Sequence, residues 1–362
     1  MKYISCISGL MLLAASMPAA AQQTKLLTAE KHNEYGLVYT LPVTALDIEV
    51  TAVREVKKAG QYYQYAKKYV GTDKVVKEDD ESWTIEKVKV RPYGIPDPDA
   101  RYLMQLKPGA LAYIGVDADG MLLSINTPPV VEEVEKIAPR PIEGEKIADR
   151  EYLQYVDEDF IASQSSAKQA QMLAENLMEI REAKTSLTRG TAETMPTDGK
   201  QLELMLNSLA HQEAALTAAF LGNTTRETVV RNFTYVPADN GREVVFRMSD
   251  FDGFVAANDY SGEPVYIDIE ITNEGTLPVD AKGEEKKMPK DAVAYCVPGA
   301  ANVSLTYQGK KLFNKEFEMS QFGIVFGLNP SVFSDRKEPS YAVFDPSTGA
   351  LKEIGPAKLA QE

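Results

Sequence analysis

Two cysteines, two histidines and one tryptophan are all that 362 residues contain of those types. Structural zinc needs three or four closely spaced Cys/His-type ligands, so no metal and no cofactor is expected here. Positive charge is also scarce, with 39 Lys and Arg against 53 Asp and Glu and a formal charge of −14. Phosphate neutralisation needs a basic face, so no nucleic acid is expected as a partner, and anionic membrane surfaces are disfavoured. Beyond the N-terminus no run of about 18 uninterrupted apolar residues occurs, which leaves no transmembrane segment in the mature chain. There is no Gly-x-Ser-x-Gly elbow, no phosphate-cradling glycine loop and no dinucleotide fingerprint.

What is present begins with a targeting signal. Lys2, an apolar stretch over 7–15 and Pro18-Ala19-Ala20-Ala21 form the three parts of a signal peptide over 1–21, cleaved between Ala21 and Gln22. Cys6 precedes the apolar stretch, so it does not occupy a lipoprotein cleavage position. Its removal leaves Cys296 alone, within the apolar run AVAYCV over 292–297. A lone cysteine forms no intrachain disulfide, and with no basic neighbour in sequence it reads as a buried residue rather than a reactive thiol.

Residues 22–126 read as a β-rich N-terminal domain with one short helix. Leu46, Ile48, Val50 and Ala52 alternate with Asp47, Glu49 and Thr51, the signature of a strand with one dry face, and Pro42 breaks the extended run before it. Tyr62, Tyr65, Ala66 and Tyr69 fall at helical spacing, with Gly71 as the C-cap. Tyr62, Tyr63, Tyr65 and Tyr69 are the candidate ligand- or partner-binding residues, as an aromatic platform; the same rings also suit a half-buried helix laid on a sheet. Asp117-Ala118-Asp119-Gly120 resembles the start of a calcium loop but lacks the distal Glu, and reads as a hairpin turn.

A Pro/Glu-rich linker follows over 127–165, then a helical hairpin over 166–222. Its first helix carries the stripe Ala170, Leu173, Leu177 and Ile180; its second carries Leu202, Met205, Leu206, Leu209, Leu216 and Phe220, with Asp198 and Gln201 as a capping pair and Gly222 as the stop. His211 lies on that second helix without a second metal ligand at zinc spacing, and reads as a surface or boundary residue. From 223 to 362 short strands alternate with turns, Pro298-Gly299 among them, and predict a C-terminal immunoglobulin-like β-sandwich, although no Cys…Trp…Cys pattern is present. The fold class expected is α+β, mostly β. Ser249-Asp250-Phe251-Asp252-Gly253 is a second, incomplete calcium-like loop.

Seven segments carry a resemblance: HNEYGLVYTLP (32–42), TALDIEV (44–50), AGQYYQYA (59–66), DG (198–199), ML (205–206), SQFG (320–323) and FDPSTG (344–349). With them the chain resembles an exported family of Bacteroidota, a domain of unknown function of the 4831 type. The resemblance implies export from a Gram-negative cell, to the periplasm or the outer membrane, and carries over no catalytic residue. The reading that follows is a non-catalytic envelope protein, not an enzyme, that binds an envelope protein, a polysaccharide or a peptide. The alternatives are an envelope assembly factor with the helical hairpin as its arm, and a hydrolase using paired carboxylates.

Overall fold

The computed structural model describes residues 23–26, 36–105, 113–129, 142–289, 291–333, 335 and 338–357. The expected signal peptide, its cleavage point at Ala21 and Gln22, Cys6 and His32 lie outside the described residues. Strands make up 47% and helices 22% of the described residues, which makes the fold α+β and mostly β.

In chain order the first half holds β1 (Gln23–Leu26), β2 (Leu37–Lys58), α1 (Ala66–Tyr69), β3 (Asp80–Gln105), β4 (Ile114–Val116) and β5 (Leu122–Ile125). Then come the helices α2 (Glu158–Ala162), α3 (Ser166–Arg189) and α4 (Gly199–Leu221). The second half holds β6 (Asn223–Tyr235), β7 (Gly241–Ser249), β8 (Gly253–Val255), β9 (Glu263–Asn273), β10 (Val293–Tyr307), β11 (Lys310–Leu328), β12 (Ser340–Phe344) and β13 (Leu351–Pro356). They build three sheets, in the orders β1-β3-β2-β6, β11-β10-β9-β7-β8 and β13-β12-β5-β4.

The first two sheets pack face to face as a sandwich-like pair. Leu46, Ile48, Val50 and Ala52 of β2 are each fully buried, against Phe246, Met248, Val265, Ile267, Val303 and Leu305 of the second sheet. The alternation in β2 thus selects its dry face. Pro42 does not end that strand: it sits opposite Pro96 at a register shift, where a missing N–H breaks no regular ladder bond. Pro298-Gly299 likewise does not separate two strands. β10 and β11 run through it, with a register shift between Val297 and Gly299. A Cβ on Gly299 would lie 2.3 Å from the carbonyl oxygen of Phe322, and one on Gly323 2.2 Å from that of Val297. The two glycines therefore let the paired strands bend while the backbones stay in contact.

The bend gives the long strands two cores to serve. Beyond it, Val293, Ala294 and Tyr295 of β10 and Phe326 of β11 join Tyr39 and Leu41 of β2 and Ile125, Ala342 and Phe344 of the third sheet in a second core. Buried Tyr39 pins this region by accepting from the Ala294 amide at 2.8 Å.

The third core is helical. The α3 stripe Ala170, Leu173, Leu177 and Ile180 is buried as its spacing predicts. Ser165 caps α3 by accepting from the Lys168 amide, Gly190 ends it at φ +71°, and Asp198 caps α4 by accepting from the Gln201 amide. On α4 the burial of the predicted stripe stops short: Leu216 and Phe220 are buried, while Met205 is exposed. The start of α4 extends past the layers that cover its end. Residues 142–165, predicted as part of a linker, run as a strap against the hairpin and bury Tyr152 and Phe160 in its core.

Candidate functional site

Three of the segments quoted for the family resemblance converge on one residue. Thr44, fully buried on β2, accepts at Oγ1 from the Ser320 amide (3.0 Å) and donates from the same hydroxyl to the Ser347 carbonyl (2.9 Å). Its own amide donates to Gln321 Oε1 at 3.1 Å, and Gln321 Nε2 donates back to the Thr44 carbonyl at 3.1 Å. The turn over 344–349 is held by Asp345, whose carboxylate accepts from the Ser347 amide (2.7 Å), the Thr348 amide (3.1 Å) and the Ser347 hydroxyl (2.5 Å). Its approach to β3 requires glycine: a Cβ on Gly94 would lie 2.1 Å from the Pro346 carbonyl oxygen.

Beside this junction opens a cleft of about 1040 Å³. One wall is Asp47, Arg91, Pro92 and Tyr93, and the other is residues 343–347 with Lys352 and Glu353. The outward face of β2 and β3 builds the first wall, because the alternation that buries Leu46 and Ile48 turns Asp47 and Glu49 the other way, and β6 flanks it. Arg91 Nη2 binds Asp47 at 3.2 Å and Glu49 at 3.1 Å. Asn232 Nδ2 donates to Asp47 at 2.8 Å, and the Tyr93 hydroxyl donates to Thr234 Oγ1 at 3.3 Å.

The carboxylates facing this space are engaged. Asp345 pairs with Lys352 at 2.8 Å, and Glu353 accepts from the Tyr341 hydroxyl. Burial works to raise the Asp345 pKa, but Lys352 and the Ser347 hydroxyl and amide outweigh it and hold the carboxyl below its ordinary range. A glycosidase acid needs the opposite, a carboxyl tuned upward. The Ser347 hydroxyl is bonded to a carboxylate with no histidine between them, so it is not an activated nucleophile of the Ser-His kind. What the walls offer is aromatic and proline surface (Pro92, Tyr93, Phe344, Pro346) alternating with fixed charges of both signs, a surface suited to stacking and hydrogen bonding along a polar chain.

The tyrosines singled out from the sequence lie elsewhere. Tyr62 is buried in the helical core, edge-on to Tyr152 at 5.9 Å, and donates its hydroxyl to Gln169 at 3.2 Å. Tyr69 packs on Phe220 at 6.2 Å, the Tyr65 hydroxyl meets Ser166 Oγ at 3.2 Å, and Tyr63 is half-buried. None of the four lines the cleft. Its own residues Arg91, Tyr93, Lys352 and Glu353 belong to no motif in the sequence, whereas Asp47 and Asp345 lie in two of the segments that carry the resemblance, TALDIEV and FDPSTG. Of the calcium-like loops, Asp117 caps its own turn, accepting from the Asp119 and Met121 amides at 3.0 and 2.8 Å, and Ser249 Oγ accepts from the Phe251 and Asp252 amides. Among the described residues no group of three His, Cys, Asp or Glu is placed to hold a metal ion, and no helix is long and apolar enough to cross a membrane.

Cys296 is buried behind the junction, its amide bonded to the Gly349 carbonyl at 3.0 Å, and burial pushes its thiol up to about 12. A thiol so desolvated reacts only when the chain opens. At pH 8 a disulfide-exchange reagent should therefore leave Cys296 unlabelled in the folded protein and label it at once in denaturant; rapid labelling under native conditions would contradict the burial.

No curated protein and no solved structure matches the chain. The sequence model of one family, described as a domain of unknown function (DUF4831), matches residues 35–352.

Proposed function

We propose, for a chain that belongs to this family of unknown function, a non-catalytic role in the cell envelope: export by the N-terminal signal, then binding of another protein or a surface polymer in the cleft beside Thr44. The observation that carries the reading is the convergence of TALDIEV, SQFG and FDPSTG on one junction, with the cleft opening against it. Segments some 300 residues apart in sequence are bound to each other there, and the surface they support is amphipathic and already charge-paired, as a recognition surface is. The engaged carboxylates and the downward-tuned Asp345 speak against a hydrolase.

The test is capture from native envelopes with the exported protein and with a Tyr93→Ala/Lys352→Gln variant, which alters both walls without setting a second carboxylate against Asp345 and leaves Thr44 in place. A partner or polymer retained by the parent and lost by the variant, with unchanged thermal melting, is the expected result. Equal capture by both would remove the cleft from the function. The assembly-factor reading rests on a different surface, the groove of about 710 Å³ at the free end of the hairpin, where Leu204 and Met205 are exposed. Loss of capture in Leu204→Asp, with the cleft variant unaffected, would favour it.

A further inference from the structure

His211 stands between two carboxylates of the strap. Its Nδ1 lies 2.6 Å from Glu145 Oε1, and its Nε2 lies 2.5 Å from Glu151 Oε1. A neutral imidazole has one N–H and one lone pair, so in either tautomer one nitrogen would aim its lone pair at a carboxylate oxygen; only the imidazolium donates to both. The strap's C-terminal part is anchored to the hairpin and α1 region: the Tyr152 hydroxyl donates to Gln61, Asn176 Nδ2 donates to the Tyr155 carbonyl, and Gln169 Nε2 donates to the Phe160 and Ser163 carbonyls. Glu143 forms a backbone bridge with Arg226 of β6, Asn223 Nδ2 donates to the Glu145 carbonyl at 2.9 Å, and Tyr152 is buried in the helical core. Between these anchors Arg150 takes a left-handed backbone, φ +54°, a conformation that costs a non-glycine residue free energy and persists only while its surroundings impose it. Under the strap lies a cavity of about 340 Å³ whose lining includes Lys58, Gln61, Arg150, Tyr152, Ala218 and Asn223.

We propose that the imidazolium of His211 is a proton-dependent clasp that holds the strap over this cavity, and that loss of its proton releases the strap at Glu145. Release begins there because Glu151 has a further bond, to the Ala148 amide at 2.7 Å, and is the less exposed of the two. The neighbouring charges leave the clasp to these three groups. On α4, Glu213 is taken by Arg181 and Lys184 of α3 at 2.8 and 3.0 Å. From the sheet, Arg226 pairs with Glu55 and Lys58 with Asp79. On the strap, the Tyr155 hydroxyl bonds Glu151, and Asp149 and Arg150 flank it.

The sign follows from the bonds. Glu145 and then Glu151 raise the His211 pKa above 6.5, against a smaller opposing effect of burial. A raised cationic pKa contributes stability that is complete below the unfolded value and lost as pH rises through the folded one. Glu151 is held below 4.5 by the Ala148 amide, against burial, with His211 adding to it, so its contribution is present above that value and lost as pH falls through the folded one. The clasp is closed between the two and opens on the alkaline side.

Hydrogen–deuterium exchange of the full chain, corrected for intrinsic rates, reads the strap directly. Protection over 143–155 should fall between pH 6 and pH 8.5, by about tenfold for each unit by which the ring is raised. In His211→Gln it should be low at both values, with the α3 and α4 amides unchanged as a check on folding. An NMR titration of the two histidine rings, assigned with His32→Ala, should place the His211 midpoint above 6.5. Protection that does not depend on pH, the same pH dependence in His211→Gln, or a midpoint at or below 6.5 would each overturn the proposal.

Discussion

Replacing Phe246 by alanine should lower the unfolding free energy by about 3–5 kcal/mol, the range for a large aromatic removed from a core that cannot collapse. Phe246 is fully buried on β7, stacked on Phe233 of β6 at 4.3 Å with the rings 5° from parallel, and 5.6 Å from Phe254 of β8. It therefore fastens the second sheet to the first. Both sheets are fixed by long hydrogen-bonded ladders, so the space left by the ring has no flexible side to close it. Denaturant titration should show a lower midpoint with an unchanged slope. A shift of less than about 1 kcal/mol would mean that the layers repack around the loss, which the parallel stack gives no room to do.

Thr44→Val should cost about 3 kcal/mol while keeping the shape of the side chain. Valine removes a hydroxyl that both donates and accepts, leaving the Ser320 amide and the Ser347 carbonyl without this partner at a junction where Thr44 itself is fully buried. Each unmet buried group costs about 1–3 kcal/mol. Thr44→Ser keeps the oxygen and loses one methyl, for about 1 kcal/mol. The ordering of the two variants in the same denaturation measurement is the check. If valine proves as stable as serine, the hydroxyl does not hold the three segments together, and shape alone does.

The local signals in the sequence reached the right local structures. The alternation over 46–52 selected the dry face of β2, the stripe on α3 selected its buried side, and Asp198 and Gly222 fell at the ends of α4 where their chemistry puts them. Proline misled in two places. Pro42 and Pro298 read as breaks, yet each lies at a register shift, where a strand tolerates a residue without an N–H. The consequence spread beyond those residues. With the chain broken at Pro298-Gly299, residues 223–362 read as short strands sufficient for two layers; with β10 continuous, its sheet is one layer and the second is found in β2, β3 and β6. Periodicity says which face of a strand is dry and is silent on which strand lies beside it, so the pairing of Leu46 with Tyr235 had no local signature. The cleft was hidden for the same reason: its walls come from 47, 91–93 and 343–353, and no window along the chain contains more than one of them.

The bond from Thr44 to Ser347 spans 303 residues, and that span has a consequence in time. A chain synthesised at about 5–20 residues per second would expose the Thr44 side of β2 for roughly 15–60 seconds before the segment that closes over it exists. Through most of that interval the β2–β3 hairpin shows a row of fully apolar residues without a complete facing sheet, and its closing turn comes last. Local hairpins can form and dissolve, but the loops that complete both β cores cannot close, and topologies weighted to such distant contacts fold slowly. The growing chain thus keeps the dry face of β2 open until the strands up to Leu328 exist, and its junction at Thr44 is completed only when the FDPSTG turn has emerged.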